Sequence, residues 1–217
     1  YAFGKTFSDP IEYHFSSLKH GYVREYHLYL PLYNHVSWME IGAPDSSVLT
    51  PLPLSPDKPI VIYGTSIAQG ACASRPGKAW TALLGRALHR PVINLAFSGN
   101  GRLEPEVVSL LTELDPQIYI VDCLPNMTGF PDDTIKARLI NTVTTLRKSH
   151  PRIPVLVVQD ADGNINFLNE TRNKTYDKVN RDGLEAFQAM KASGVEDIYF
   201  LSAAEIGFTI ESTIEGT

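Results

Sequence analysis

The chain has only two cysteines, Cys72 and Cys123, among its 217 residues. Two are too few for a disulfide scaffold, and their spacing builds no zinc site. Two buried free thiols are therefore expected. No stretch approaches the roughly 20 apolar residues needed to cross a bilayer, so no membrane span is expected. Residues 1–15 also lack the basic-then-apolar order of a secretory signal. Basic residues are not in excess, since 19 Lys and Arg stand against 24 Asp and Glu for a formal net charge of −5. Neutralising a phosphate backbone needs clustered Lys and Arg, and without such a cluster no nucleic-acid partner is expected. Repeats and low-complexity tracts are missing too. What remains, at 43% hydrophobic and 20% charged residues, is the composition of a globular protein with one sizeable core.

Two parts of the chain differ in pattern, 1–58 and 59–217. Residues 25–32 and 35–41 alternate with a period of two around a turn at 31–34, which predicts a hairpin in a partial β-rich N-terminal domain. Residues 42–59 then hold five prolines and three serines, suited to a surface linker. Beyond it, the apolar runs 60–63, 92–96, 118–121, 155–158 and 198–201 are short, rich in Val and Ile, and not alternating. That is the signature of strands buried on both faces. Helical stripes lie between them: Trp80, Leu83, Leu84, Ala87 and Leu88; Val107, Leu110, Leu111 and Leu114; Ile135, Leu139, Val143 and Leu146; Tyr176, Val179, Phe187 and Met190. Strands separated by helices pair in parallel through right-handed crossovers, so a three-layer α/β/α sandwich with a central parallel sheet is predicted.

In such a sheet, ligands bind beyond the carboxyl ends of the strands, which directs attention to the residues after each apolar run. Gly64-Thr65-Ser66 follows the first, Ser98-Gly99-Asn100-Gly101 the second and Asp122-Cys123-Leu124-Pro125-Asn126 the third. Acyl transfer needs a nucleophilic oxygen and donors aimed at an oxyanion. Ser66 offers the oxygen and its own N–H; Gly99 offers a second N–H and Asn126 a side-chain amide, while Gly101 lets the loop bend. Each also has a plainer reading. A serine after a strand commonly caps the next helix, and glycines and asparagines commonly make turns.

The segments "YGTSIAQG", "NLAFSGNGRLE" and "DCLPN" resemble the first three sequence blocks of the SGNH (GDSL-type) hydrolases, in a bacterial branch with a small β-rich N-terminal domain. The resemblance spans about 59–217. It implies a flavodoxin-like fold, Ser66 as nucleophile with Thr65 in the place of the motif's Asp, and Gly99 and Asn126 as the second- and third-block residues. It also implies a small-molecule or glycan ester as substrate, no cofactor and no metal. The α/β-hydrolase elbow G-x-S-x-G is not matched, because Ala68 stands two residues after Ser66.

The family's last block is Asp-x-x-His, where the histidine activates the serine and the Asp orients it. Glu215 matches the Asp, and the matching histidine falls one residue after Thr217, so the chain as written is expected to be nearly inert for want of its base. His89 and His150 precede strands and belong to the amino ends of the sheet; His14, His20, His27 and His35 lie in the N-terminal part. Asp160 and Asp162 follow the fourth strand and are expected as exposed loop acids, with orienting a base or binding a sugar hydroxyl as the alternative. Arg75, Arg102 and Arg172 either rim the site or serve the surface. Cys72 and Cys123 approach one pocket edge, which raises a disulfide as the alternative to free thiols.

The expected activity is that of a serine esterase cleaving short-chain esters, with acetyl groups on carbohydrates as the favoured class. A non-catalytic ligand- or glycan-binding module is the alternative. A phosphate binder using Gly64-Thr65-Ser66 is the third reading, weakened because the loop has no Walker Lys and no G-x-G-x-x-G run. A periplasmic or secreted location is expected, with the cytoplasm as alternative; the composition leaves the oligomeric state open.

Overall fold

The computed structural model describes residues 14–16, 24–161 and 170–208. Among these, five strands form one parallel sheet in the order β2-β1-β3-β4-β5, with β1 at Ile60–Gly64, β2 at Val92–Ala96, β3 at Ile118–Asp122, β4 at Val155–Val158 and β5 at Ile198–Leu201. This is the flavodoxin-like order, and its switch point lies between β1 and β3. Gly64 pairs with Ala96 on one side and Asp122 on the other, so β1, β2 and β3 end level with one another. Their three following loops therefore emerge side by side.

The strand positions agree with the apolar runs to within a residue. Burial on both faces holds for the central β1 and for most of β3, whereas β2 and β5 are half-exposed because they form the edges.

One face of the sheet is covered by α3 (Pro105–Leu111), α4 (Asp132–Ser149) and α5 (Glu170–Ala192). The α4 stripe is as predicted, since Ile135, Leu139, Val143 and Leu146 are all buried. In α3 the inward face is instead Val107, Val108 and Leu111, with Leu110 exposed; Leu114 packs on the core after the helix ends. The other face is covered by the single turn α1 (Ser66–Gln69) and by α2 (Trp80–Leu88), packed on Ile60, Ile62, Ala96 and Ile120. Here the predicted stripe is corrected. Only Trp80 and Leu84 reach this cluster, while Leu83 and Leu88 are exposed, because α2 lies over the β1–β2 edge and presents a narrow seam to it.

The predicted hairpin does not form. Residues 25–32 and 35–41 carry no strand, although a bend falls at 32–34, and Tyr26, Leu28, Trp38 and Ile41 are exposed. Alternation marks which side chains suit a half-buried surface, but a strand also needs a backbone ladder. Among the described residues, Gln69 of the α/β unit donates to the Leu32 backbone carbonyl, and Arg86 donates to the Tyr29 hydroxyl. Neither cysteine is in a disulfide, as expected, but Cys72 is exposed and only Cys123 is buried.

Candidate functional site

β1 stops at Gly64, and the next residue decides what Ser66 does. Thr65 is fully buried and serves as the N-cap of α1, its Oγ1 accepting from the Ile67 N–H at 3.4 Å. Ser66 is thus the first helical residue, half-buried, with the capping role already filled. Thr65 N–H donates to the Asp122 carbonyl at 3.2 Å, extending the β1–β3 ladder. The Ser66 N–H has no acceptor among the described residues.

The loop after β2 is held at nearly every amide. Phe97 N–H donates to the Gly64 carbonyl (2.9 Å), Ser98 N–H to Gln69 Oε1 (2.8 Å) and Asn100 N–H to the Phe97 carbonyl (3.0 Å). Gly99 lies between them with φ +71°, and no described acceptor takes its N–H. Gly101 (φ +65°) crosses directly over the end of β1, where a Cβ would stand 2.1 Å from the Gly64 oxygen. Only glycine permits that crossing.

Asn126 lies in the 3₁₀ turn Leu124–Met127 that follows β3, and its Nδ2 donates to the Asn100 carbonyl. An amide has two N–H bonds, so one remains for a ligand. The contacts of Gly101 on β1 and of Asn126 on Asn100 thus bring the loops bearing Ser66, Gly99 and Asn126 to one corner of the sheet.

Beneath that corner lie two buried carboxyls, Asp122 (6% exposed) and Asp160 (8% exposed). Burial, reinforced by the charge of Asp160, pushes the Asp122 carboxyl up to about 7. Asn180 holds the Asp160 backbone with a bond in each direction, 2.9 and 3.0 Å. The expectation of an exposed Asp160 is corrected: α5 covers it. Burial and Asp122 together raise the Cys123 thiol well above its ordinary value, so it is an inert core group.

Glu215 and Asp162 lie outside the described residues, as does His20. His89 follows α2 in the left-handed region at its exposed C-terminus, His150 meets the Thr112 carbonyl at 2.9 Å, and His27 pairs with Glu25 at 2.5 Å. Arg102 is tied through its backbone to Glu104 and Arg138, and Arg172 lies over the Tyr176 ring; Arg75 is exposed. Among the described residues no group of three or more His, Cys, Asp or Glu could hold a metal, and no helix is long and apolar enough to cross a membrane. A groove of about 790 Å³ lined by Arg147, Arg152, Glu196 and Asp197 opens at the amino ends of β4 and β5, the opposite end of the sheet from Ser66.

Sequence reasoning missed three supports of this corner. Asn94 bonds the Ala68 carbonyl (2.9 Å) and Thr81 Oγ1 (3.0 Å), fastening α1 to β2; an amide inside the apolar run 92–96 was its visible signal. Tyr63 and Glu104 share a hydrogen bond, and Gln69 links the 98–101 loop to residue 32. Nothing local marks those two, because their partners are 41 and 37 residues away in sequence.

Comparison with known proteins agrees with this fold. Residues 57–217 match the profile of the GDSL-like lipase/acylhydrolase family, and residues 3–49 match that of the N-terminus of SGNH-hydrolase-type esterases. A GDSL-like lipase from Bacteroides ovatus is similar at 35% identity and a TM-score of 0.68, over 74% of this chain and 47% of that one. The chain therefore spans about half the length of that relative. The salicylyl-acyltransferase of a tetracycline biosynthetic pathway shares the fold at 20% identity and a TM-score of 0.65, over 75% of this chain and 48% of that one. A family two carbohydrate esterase from Clostridium thermocellum does so at 16% identity and a TM-score of 0.52, over 71% of this chain and 56% of that one. No curated protein matches the chain.

Proposed function

The chain belongs to the GDSL-like lipase/acylhydrolase family, and we propose that it is a serine esterase whose nucleophile is Ser66. The observation that carries this reading is the division of labour at the end of β1. Thr65 caps α1, which leaves Ser66 half-buried and free of the capping role, with no acceptor among the described residues for its own N–H or for that of Gly99. In this mechanism Ser66 Oγ attacks the ester carbonyl as a base takes its proton. The N–H groups of Ser66 and Gly99 and the second N–H of Asn126 Nδ2 receive the oxyanion. The alcohol leaves with the proton, and water then attacks the acyl-enzyme and releases the acid. Glu215 is assigned to orient the base histidine of the family's last block.

The proposed substrate is a short-chain ester, favouring acetyl groups on carbohydrates, and the proposed location is periplasmic or secreted. Ser98 and Asn100 give the corner an exposed polar rim, which suits a sugar better than a long acyl chain. The Clostridium thermocellum carbohydrate esterase offers the same fold as a scaffold for such a ligand.

The test is a fluorophosphonate probe applied to the full-length protein and to Ser66→Ala, together with hydrolysis of p-nitrophenyl acetate, p-nitrophenyl decanoate and acetylated xylan. Labelling confined to Ser66, and turnover that falls on the order of 10⁶-fold in Ser66→Ala, are expected. A full-length protein that hydrolyses none of these esters and leaves Ser66 unlabelled would sink the esterase reading. It would favour the ligand-binding module.

A further inference from the structure

We propose that Gln69 is a positioning residue that couples the N-terminal segment to the loop carrying Gly99, so that docking of that segment sets the oxyanion donor. The inference rests on Gly99 being such a donor.

Gln69 is the last residue of α1, three after Ser66. Its Nε2 donates to the Leu32 carbonyl at 2.9 Å, and its Oε1 accepts from the Ser98 N–H at 2.8 Å. A carbonyl can only accept and a backbone N–H can only donate, so the two partners fix the amide's orientation and need both of its ends. No other residue type of this length offers a donor and an acceptor on one planar group. A residue that merely filled space here would need neither.

The N-terminal side of this link is itself anchored. The Leu32 side chain packs on the tight turn ending α1, where a Cβ at Gly70 would lie 2.8 Å from Leu32 Cδ1. Three residues earlier, the Tyr29 ring lies on Gly77, where a Cβ would meet Cδ2 at 3.0 Å. Arg86 also holds that ring: its guanidinium sits 5.2 Å from the ring centroid, Nη1 donates to the Tyr29 hydroxyl at 2.8 Å, and Nη2 donates to the Gly77 carbonyl at 2.6 Å. Tyr29 and Leu32 thus clamp the segment onto α1, α2 and the turn between them.

On the far side, Ser98 N–H is one of three amides that hold the loop, with those of Phe97 and Asn100. The Phe97 bond belongs to the sheet and the Asn100 bond closes the turn on itself. Of the three, the Ser98 bond is the one made to a side chain, and Gly99 is the next residue. A displacement at Leu32 therefore reaches the Gly99 N–H through a single side chain.

The deciding experiment measures amide exchange at Ser98 and Gly99 by NMR in the full chain, for Gln69→Met, Gln69→Glu, Tyr29→Ala and the Tyr29→Ala/Gln69→Met pair. Tyr29→Ala is expected to speed Ser98 exchange about tenfold by loosening the anchored segment. It should add nothing in the Gln69→Met background, where the link is already cut. Gln69→Glu keeps an acceptor for Ser98 but loses the donor for Leu32, so Ser98 should stay protected while residues 29–33 loosen. In turnover, Gln69→Met is expected to lower kcat about tenfold with KM little changed, a fraction of the 10²–10³ that follows outright loss of a donor. Unchanged Ser98 exchange in Tyr29→Ala, or equal effects of that substitution with and without Gln69, would overturn the coupling. If Gln69→Met fails to fold, Tyr29→Ala in the Gln69→Glu background decides the matter by the same comparison. Exchange needs no turnover, so failure of every variant to cleave esters would count against the esterase reading alone.

Discussion

The Tyr63 hydroxyl donates to the carboxylate of Glu104, and the Glu104 N–H donates back to that hydroxyl at 3.2 Å. The same carboxylate oxygen accepts the Arg102 N–H at 2.7 Å, so the strand that leads to Ser66 is tied to the loop that leaves Gly101 and to the start of α3. Burial alone would raise the Glu104 carboxyl. The bonds from Tyr63 and from the backbone N–H groups, with the Arg138 charge, outweigh it and hold the group below its ordinary value.

Glu104→Ala is accordingly expected to cost roughly 2–3 kcal/mol, because it strands the buried Tyr63 hydroxyl as well as removing a charged acceptor. Tyr63→Phe should cost less, since Glu104 keeps its Arg102 bond. Urea unfolding at neutral pH measures both. The charge-dependent part of the Glu104 contribution is full above the carboxylate's unfolded value and is lost as pH falls through its depressed folded value, so the gap between wild type and Glu104→Ala should narrow in strong acid.

Asn126 serves two partners, the Asn100 carbonyl and, in the proposed mechanism, the oxyanion. Asn126→Ala is expected to lower kcat by about 10²–10³ on p-nitrophenyl acetate, with a much smaller change in KM. Equal losses in kcat and in binding of an unreactive substrate analogue would instead mark Asn126 as a ground-state contact.

The strands and the corner of the sheet were legible because both depend on short-range pattern. Continuous apolar runs gave β1 to β5, and the residues after them, Ser66, Gly99 and Asn126, followed from the parallel topology. What was not legible depends on partners remote in sequence. Thr65 rather than Ser66 as the cap is a choice between neighbouring hydroxyls that only the backbone angle at β1's end decides. Asp160 looked like a loop acid because nothing near it predicts that Asn180, 20 residues on, holds it under α5. The N-terminal alternation misled, because period two reports side-chain facing and says nothing of whether a pairing strand is present.

The turn bearing Asn126 is pressed from behind by α5. A Cβ at Gly183 would lie 2.7 Å from Leu124 Cδ1 and 3.2 Å from its Cδ2, and Leu124 is buried. Gly183→Ala should therefore destabilise by about 1–3 kcal/mol through overpacking, despite the better helix propensity of alanine. It should also lower kcat by tilting the Leu124–Met127 turn. Leu124→Val paired with Gly183→Ala is expected to recover most of the stability, read by thermal unfolding, because it removes the colliding methyl group.

Asp122 makes the opposite prediction, a substitution that stabilises. Its carboxyl is buried at the end of β3 and pushed up to about 7 by desolvation and the charge of Asp160, whereas in the unfolded chain it titrates near 4. The folded state therefore holds the proton across that interval and the unfolded state does not, so stability falls as pH rises from about 4 to about 7 and stays low above it. Asp122→Asn keeps the shape and the backbone carbonyl that receives Thr65 N–H, but removes the charge. It should match wild type near pH 4 and exceed it at pH 8, by an amount on the order of a few kcal/mol. The depressed carboxyls of Glu104 and of Glu205, which accepts from the Ser202 N–H and hydroxyl, act in the other direction and at lower pH, so the two effects separate. Urea unfolding of both proteins at pH 5 and pH 8 decides it. A variant less stable than wild type at pH 8 would mean that the ionised Asp122 is held by a partner whose attraction exceeds the cost of burial.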